Sequence, residues 1–309
     1  MIRIDALHKN YGSVRALDGL SMTVEAGSIF GFLGPNGAGK TTTLRILTGL
    51  ARPTSGRAVI AGVDVVSDGL TLSRFIGYLP EEPAFYSWMT PPEFLDYLGR
   101  LHGLSTAERK VRTGELLELV NLVESAKRRI GGFSRGMRQR LGLAAVLVHK
   151  PEVLLLDEPV SALDPAGRKE VLDLIEGLRG QCTVLMSSHI LADVERVCNV
   201  VGIIDKGRMI VQSPREELME RYARPVFEVE AEDPAAVKRW AETVKGEKWA
   251  TTVSVDGNSL HVTVNDLGRA RRELLSSAVA QDIALRRFEE IRPSLEDVFL
   301  QLTGTEAAR

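Results

Sequence analysis

The stretch FLGPNGAGKTTTLRIL (32–47) puts three glycines, a lysine and three threonines between an apolar run and a helical pattern. That is poor material for a packed core and good material for a turn that holds something. Upstream, SIFGFL (28–33) reads as a short buried strand. Downstream, TTTLRILTGL (41–50) carries Leu44, Ile46 and Leu47 at helical spacing, and Gly49 fits a helix stop. Between them stands G-x-x-x-x-G-K-T: Gly34, Pro35, Asn36, Gly37, Ala38, Gly39, Lys40 and Thr41, with Thr42 next. In this strand–loop–helix setting it is a phosphate-binding P-loop. The glycines let backbone N–H groups turn inward around phosphate oxygens. The helix N-terminus adds a partial positive charge of about half a unit. Lys40 supplies a full charge to the outer phosphates, and the Thr41 hydroxyl is placed for Mg²⁺.

A second stretch, PEVLLLDEP (151–159), completes a nucleotide site. Its apolar run, Val153 to Leu156, ends in two adjacent acids. A buried strand ending in Asp157 suits a Walker B carboxylate that orients Mg²⁺. Glu158 reaches a different space, and a carboxylate beside a γ-phosphate accepts the proton of an attacking water. Alone, the acid pair reads equally as a solvated turn. Paired with a P-loop it is specific. The chain has no N-K-x-D motif of the guanine-selective kind.

Composition bounds the partners. The 309 residues suit one large domain plus a small one, or two medium ones, and 44% apolar content supplies the core. A net charge of −2 gives no general reason to expect nucleic acid. The start MIRIDALHKN has no apolar signal region. The longest apolar candidate, LGLAAVLV (141–148), stops at His149 and Lys150, short of the roughly 18 residues that span a membrane. Two cysteines, Cys182 and Cys198, make no disulfide framework and fit reduced thiols in a cytosolic protein.

The order of motifs resembles the ATP-binding cassette (ABC) ATPases, the engine subunits of ABC transporters. FSRGMRQR (133–140) occupies the place of the family signature, SALDP (161–165) that of the D-loop, and SSHIL (187–191) that of the switch-histidine loop. YLPEE (78–82) stands at the Q-loop. Each motif occurs once, in family order, over about the first 215 residues. The resemblance implies an α/β fold: a P-loop NTPase ABC ATPase domain over 1–220, with a helical subdomain inserted at about 82–150. It also implies roles. Tyr11 stacks on adenine, Glu158 and His189 are catalytic, and Thr41, Asp157 and Glu81 serve Mg²⁺. Asp164 communicates between sites. Ser134, Arg135, Gly136 and Met137 close over the γ-phosphate of a second subunit, head to tail. Independently of the family, Ser134 is a good N-cap for the helix bearing Met137, Leu141, Ala144 and Ala145. A capped helix end beside Gly136 suits an anion.

Three residues depart from the family pattern. Arg135 replaces a signature glycine, Met137 a glutamine, and Glu81 the Q-loop glutamine. Arg135 either adds charge near the γ-phosphate or points to solvent. Glu81 still reaches Mg²⁺ or water, but as an anion. Such variants resemble the branch that exports antibiotics, drugs, lipids or sodium.

Elsewhere the chain is organised by helix signals. TPPEF offers Thr90, Pro91 and Glu93 as a capping box, and STAE repeats the device with Ser105 and Glu108. Before them lies AFYSWM (84–89), an aromatic cluster that either packs inward or grips a partner. Ser213, Pro214 and Glu216 are expected to open a last helix within SPREELMERYARP (213–225). The remainder, 221–309, reads β-α-β-β-α-β. PVFEVEA, ATTVSV, SLHVTV and IALRRFEE are its strands, Asp233-Pro234 starts one helix, and Asp266–Val279 forms the other. That order suggests a small α+β, ferredoxin-like accessory domain for regulation or dimer contacts. His261, alone in its strand, reads as structural. The ending PSLEDVFLQLTG (293–304) resembles the tail of many exporter ATPases.

The reading as a whole is an ATPase that binds ATP and Mg²⁺, pairs with a second copy, and drives a separate membrane permease from the cytoplasmic side. The alternatives are an importer subunit, a soluble ABC ATPase without a transport role, or a nucleotide-binding scaffold. Intact Glu158 and His189 speak against the scaffold.

Overall fold

The computed structural model describes residues 1–161, 163–222, 225–291 and 294–303. Ala162 of SALDP, Ala223 and Arg224 of SPREELMERYARP, and Pro293 and Gly304 of the terminal stretch lie outside the described residues. The chain divides into two compact units between Arg215 and Glu216, ahead of the boundary expected after residue 220.

The first unit opens with two antiparallel strands, β1 (Ile2–Tyr11) and β2 (Val14–Val24). The buried strand β3 (Ile29–Leu33) then leads through the glycine loop into α1 (Lys40–Leu47). Strands β4 (Ser55–Ile60) and β5 (Val63–Asp64), helix α2 (Gly69–Phe75) and strand β6 (Ile76–Leu79) follow. A helical segment of α3 (Pro91–Leu101), α4 (Thr106–Leu119) and α5 (Arg135–Val146) interrupts the alternation. The chain returns with β7 (Val153–Asp157), α6 (Pro165–Gly177), β8 (Thr183–Ser188), α7 (Leu191–Val197), β9 (Val200–Asp205) and β10 (Arg208–Pro214).

Two sheets result. One is antiparallel, in the order β2-β1-β4-β5. The other has the order β10-β9-β3-β8-β7-β6 and is parallel except for the edge strand β10. The central strands β3, β7 and β8 are buried along their whole length, which is why they read as continuous apolar runs rather than alternating ones. Phe30, Phe32, Leu44, Leu155 and Leu185 meet in the main core. Each such side chain contributes about 1.5–3 kcal/mol through removal from water.

Both capping boxes form. The Thr90 N–H donates to Glu93 Oε2 at 2.7 Å, and the Ser105 N–H to Glu108 Oε2 at 2.7 Å. The Glu108 N–H in turn donates to Ser105 Oγ at 3.3 Å. Ser105→Ala is expected to lower the stability of this unit by about 1 kcal/mol, read as a shift of the urea midpoint at constant slope.

One expectation is corrected. Ser213 and Pro214 do not open a helix; they end β10, and α8 (Arg215–Tyr222) starts after them. Pro214 is tolerated there because β10 is an edge strand, where a missing N–H costs no ladder bond.

The second unit contains β11 (Val226–Ala231), α9 (Pro234–Lys245), β12 (Ala250–Asp256), β13 (Ser259–Val264), α10 (Leu267–Ala280), β14 (Leu285–Ile291) and α11 (Leu295–Thr303). Its antiparallel sheet runs β12-β13-β11-β14, the strand order of a ferredoxin-like sandwich. Asp233 and Asp266 cap the two helices, accepting from Ala235 N–H and Arg269 N–H. Phe227, Trp240, Trp249, Leu260 and Leu274 form its core. His261 sits in β13, half-buried, opposite Glu228 of β11. Among the described residues no helix is long and apolar enough to cross a membrane.

Candidate functional site

The parallel sheet explains why two distant sequence stretches form one site. Strand β8 lies between β3 and β7, with Leu33 in register with Ser188 and Asp157 with Ser187. The glycine loop after β3, the acids after β7 and the histidine after β8 therefore leave the sheet at the same edge. In open parallel sheets that carboxyl-terminal edge is where ligands bind.

The loop cannot be built from other residues. Gly39 takes φ +111°, a region that side chains strongly disfavour. A Cβ there would also stand 2.7 Å from Ala16 O and 2.7 Å from Leu17 Cδ2. At Gly34 a Cβ would meet Ile204 O at 2.3 Å. The backbone is thus pressed against β2 and β9, leaving its inner side free. There lies a cleft of ≈ 350 Å³ lined by Ala16, Pro35, Asn36, Gly37, Ala38, Gly39, Lys40, Thr41, Thr42, Glu81, Glu158 and His189.

Within the cleft, charges are held by one another. Lys40 Nζ donates to Gly34 O at 2.6 Å and stands 3.6 Å from Glu158 Oε1. Burial pulls its ammonium below the usual lysine range, while the carboxylates of Glu158, Asp157 and Glu81 oppose that pull. The other oxygen of Glu158, Oε2, lies 2.8 Å from His189 Nδ1. The Thr41 hydroxyl donates to Asp157 Oδ1 at 3.2 Å. Ser161 Oγ donates to Glu81 Oε1 at 3.2 Å. Glu158 itself sits at φ +47°, a left-handed conformation uncommon for a residue with a side chain.

This donor set fits a nucleoside triphosphate with a divalent ion. A buried ammonium beside a glycine cradle at a helix N-terminus suits phosphate oxygens. A hydroxyl and a carboxylate in contact, with a second carboxylate nearby, suit Mg²⁺, which prefers hard oxygen ligands.

Other expected site residues lie apart from this cleft. Tyr11 ends β1 and is 47% exposed, with Lys9 Nζ 4.6 Å from its ring centroid. It does not line the cleft. Ser134 caps α5 and accepts from the Met137 N–H at 3.2 Å. Ser134 and Arg135 are exposed, Gly136 and Met137 half-buried, and none of the four lines the cleft of its own chain. Arg135 points toward Glu82, with 4.0 Å between charges. Asp164 is exposed at the start of α6 and its side chain makes no capping bond.

Two features escaped the sequence reading. Ser187, fully buried at the end of β8, bonds to both acids' strand. Arg168 of α6 donates to Asp193 of α7 at 2.6 Å, tying the helix after the D-loop to the helix after His189. Burial raises the Asp193 carboxyl above its usual range, against the pull of Arg168. An arginine and an aspartate on separate helices carry no local pattern that pairs them.

Residues 17–161 match the family model described as ABC transporter, and 214–303 match that of the ATP-binding protein DrrA1-3-like, C-terminal domain. The ABC transporter ATP-binding protein YxlF of Bacillus subtilis (strain 168) is 42% identical over 98% of this chain and 99% of its own length. The daunorubicin resistance ATP-binding protein DrrA3 of Streptomyces coeruleorubidus is 37% identical over 99% of this chain and 96% of its own. A solved ATP-binding subunit of an ABC transporter superposes with TM-score 0.66 at 28% identity, covering 72% of this chain and 93% of that one.

Proposed function

Since this chain belongs to the ATP-binding subunits of the ABC transporter family, an ATPase family, we propose that it powers an exporter by hydrolysing ATP against a separate membrane permease. The observation that carries this is the joined cluster of Lys40, Glu158 and His189 at the mouth of the glycine loop. A nucleotide-binding scaffold has no use for a buried carboxylate clamped between an ammonium and an imidazole. The export direction and a drug or antibiotic cargo rest on likeness to the daunorubicin resistance protein along nearly the whole chain.

In this reading the loop N–H groups and Lys40 bind the β- and γ-phosphates, displacing Lys40 from its loop carbonyls. Thr41, Asp157 and Glu81 would hold Mg²⁺, and the ion would supply charge neutralisation at the phosphate oxygens. Glu158 accepts the proton of the attacking water, and His189 orients that carboxylate and contacts the γ-phosphate. Tyr11 stacks on adenine. Ser134 to Met137, none of which lines the cleft of its own chain, complete the site of a second copy, and Asp164 links the two sites. ATP favours the closed pair and hydrolysis releases it, so differential affinity drives the permease between two states. The subunit works as a peripheral protein on the cytoplasmic face of the membrane.

The permease contact is assigned to the cluster after β6. Tyr86 packs near Trp88 and Tyr97, at 6.0 and 5.7 Å between centroids, while Trp88 remains 62% exposed. A large exposed tryptophan on an ordered aromatic base is the kind of residue that anchors an interface. Expressed in its own cells and taken into mild detergent, the wild-type chain is expected to bring down a polytopic membrane protein. Trp88→Ala is expected to retain ATPase activity and lose most of that protein, roughly tenfold or more by the scale of interface anchors. Recovery of soluble partners alone would move the ATPase to a non-transport role.

A further inference from the structure

Ser187 has no catalytic role in the reading above, yet its hydroxyl touches both acids of the site. It lies in β8, in register with Phe32 of β3 on one side and Asp157 of β7 on the other. It is 0% exposed. Its hydroxyl donates to Asp157 Oδ1 at 2.7 Å and accepts the Glu158 N–H at 3.0 Å. The Asp157 oxygen it binds is the one that also accepts from Thr41, at 3.2 Å. The N–H it accepts belongs to the residue held at φ +47°. A hydroxyl has one proton to give, so both bonds fix its rotation and each specifies the other.

We propose that Ser187 is a positioning residue for ATP hydrolysis, setting with one hydroxyl both the Asp157 carboxylate and the peptide that carries Glu158. The inference rests on the functional reading above. Glu158 is oriented from its side-chain end by Lys40 and His189, and Ser187 orients it from the backbone end. A left-handed residue without that bond can relax toward ordinary φ, which swings its carboxylate away from Lys40. The Asp157 oxygen, relieved of its shorter bond, is then free to rotate away from Thr41. Neither change removes a phosphate ligand, so the effect falls on turnover and on the Mg²⁺ requirement rather than on nucleotide binding.

The test uses the full chain with Ser187→Ala, Ser187→Thr and Ser187→Val. The last two fill the same volume and differ by the hydroxyl, so they decide the matter even where the alanine variant folds poorly. Four quantities are read: kcat, KM for ATP, thermal midpoint, and the Mg²⁺ concentration that half-saturates binding of a fluorescent ATP analogue. Misplacement of a catalytic group costs up to roughly 100-fold, so kcat is expected to fall about 10- to 100-fold in the alanine and valine variants. KM stays within about threefold, the Mg²⁺ midpoint rises, and threonine recovers most of the rate. Equal kcat in the threonine and valine variants, or a wild-type rate in Ser187→Ala, overturns the proposal. Glu158→Gln separates the two levels of failure. If it hydrolyses at the wild-type rate, the reading of the whole site fails. If it is inactive while the Ser187 series is flat, only the role of Ser187 fails.

Discussion

Glu158→Gln is expected to abolish steady-state hydrolysis while ATP still binds. Glutamine fills the same space and can still meet Lys40 and His189, but its amide does not accept a proton from water. General-base assistance is worth about 10²- to 10⁴-fold, so at least a hundredfold loss of kcat is expected. Binding of ATP should change by less than about threefold, because the loop N–H groups and Lys40 remain. With hydrolysis blocked, the ATP-bound pair has no route to release, and the variant should accumulate as a dimer with ATP and Mg²⁺ on size-exclusion chromatography. The wild-type chain under the same conditions should return to monomer as ATP is consumed. Normal turnover by the variant would remove Glu158 from the role of base.

Lys40→Ala fails earlier in the cycle. The structure brings the ammonium against Glu158 in the cleft, and three carboxylates, Glu158, Asp157 and Glu81, bear on it. Without it a triphosphate would have to enter a cleft lined by uncompensated acids. Hydrogen bonds to charged groups contribute about 1.5–3 kcal/mol, so ATP should bind roughly 10- to 100-fold more weakly, before any repulsion is counted. Isothermal titration with the ATP–Mg²⁺ complex measures this directly. Hydrolysis should be undetectable and no ATP-dependent dimer should form. The two variants therefore separate along the cycle: one binds and stalls, the other does not load. Wild-type affinity in Lys40→Ala would place the phosphates elsewhere.

Much of this site was legible because its chemistry is written locally. Gly34 to Thr41 must be consecutive, since a single turn of backbone forms the glycine loop that lines the cleft. Asp157 and Glu158 must be adjacent, since the strand aims one and the bend after it aims the other. The helix caps at Thr90, Ser105, Asp233 and Asp266 were equally readable, because a cap and its partner sit within one turn. The misses share an opposite property. Ser187 matters through strand register, which fixes it beside Asp157 across thirty positions of sequence separation. Arg168 and Asp193 matter through helix packing. The antiparallel sheet of β1, β2, β4 and β5 went unread because its strands are half-exposed and interrupted by register shifts. Ser213-Pro214-Arg215-Glu216 imitates a helix start, and β10 took its first two residues because the sheet edge needed a partner for Val200 and Val201.

The placement of β8 between β3 and β7 acts as a gauge. Neighbouring strands stand about 4.8 Å apart, so the phosphate loop and the acids are anchored roughly 10 Å from each other. That width is set by backbone hydrogen bonds, which no substitution other than one to proline removes. Lys40 and Glu158 reach toward each other across it and meet with 3.6 Å between Nζ and Oε1, so the two side chains together bridge the gap. A shorter cation in its place would keep the charge and miss the far bank.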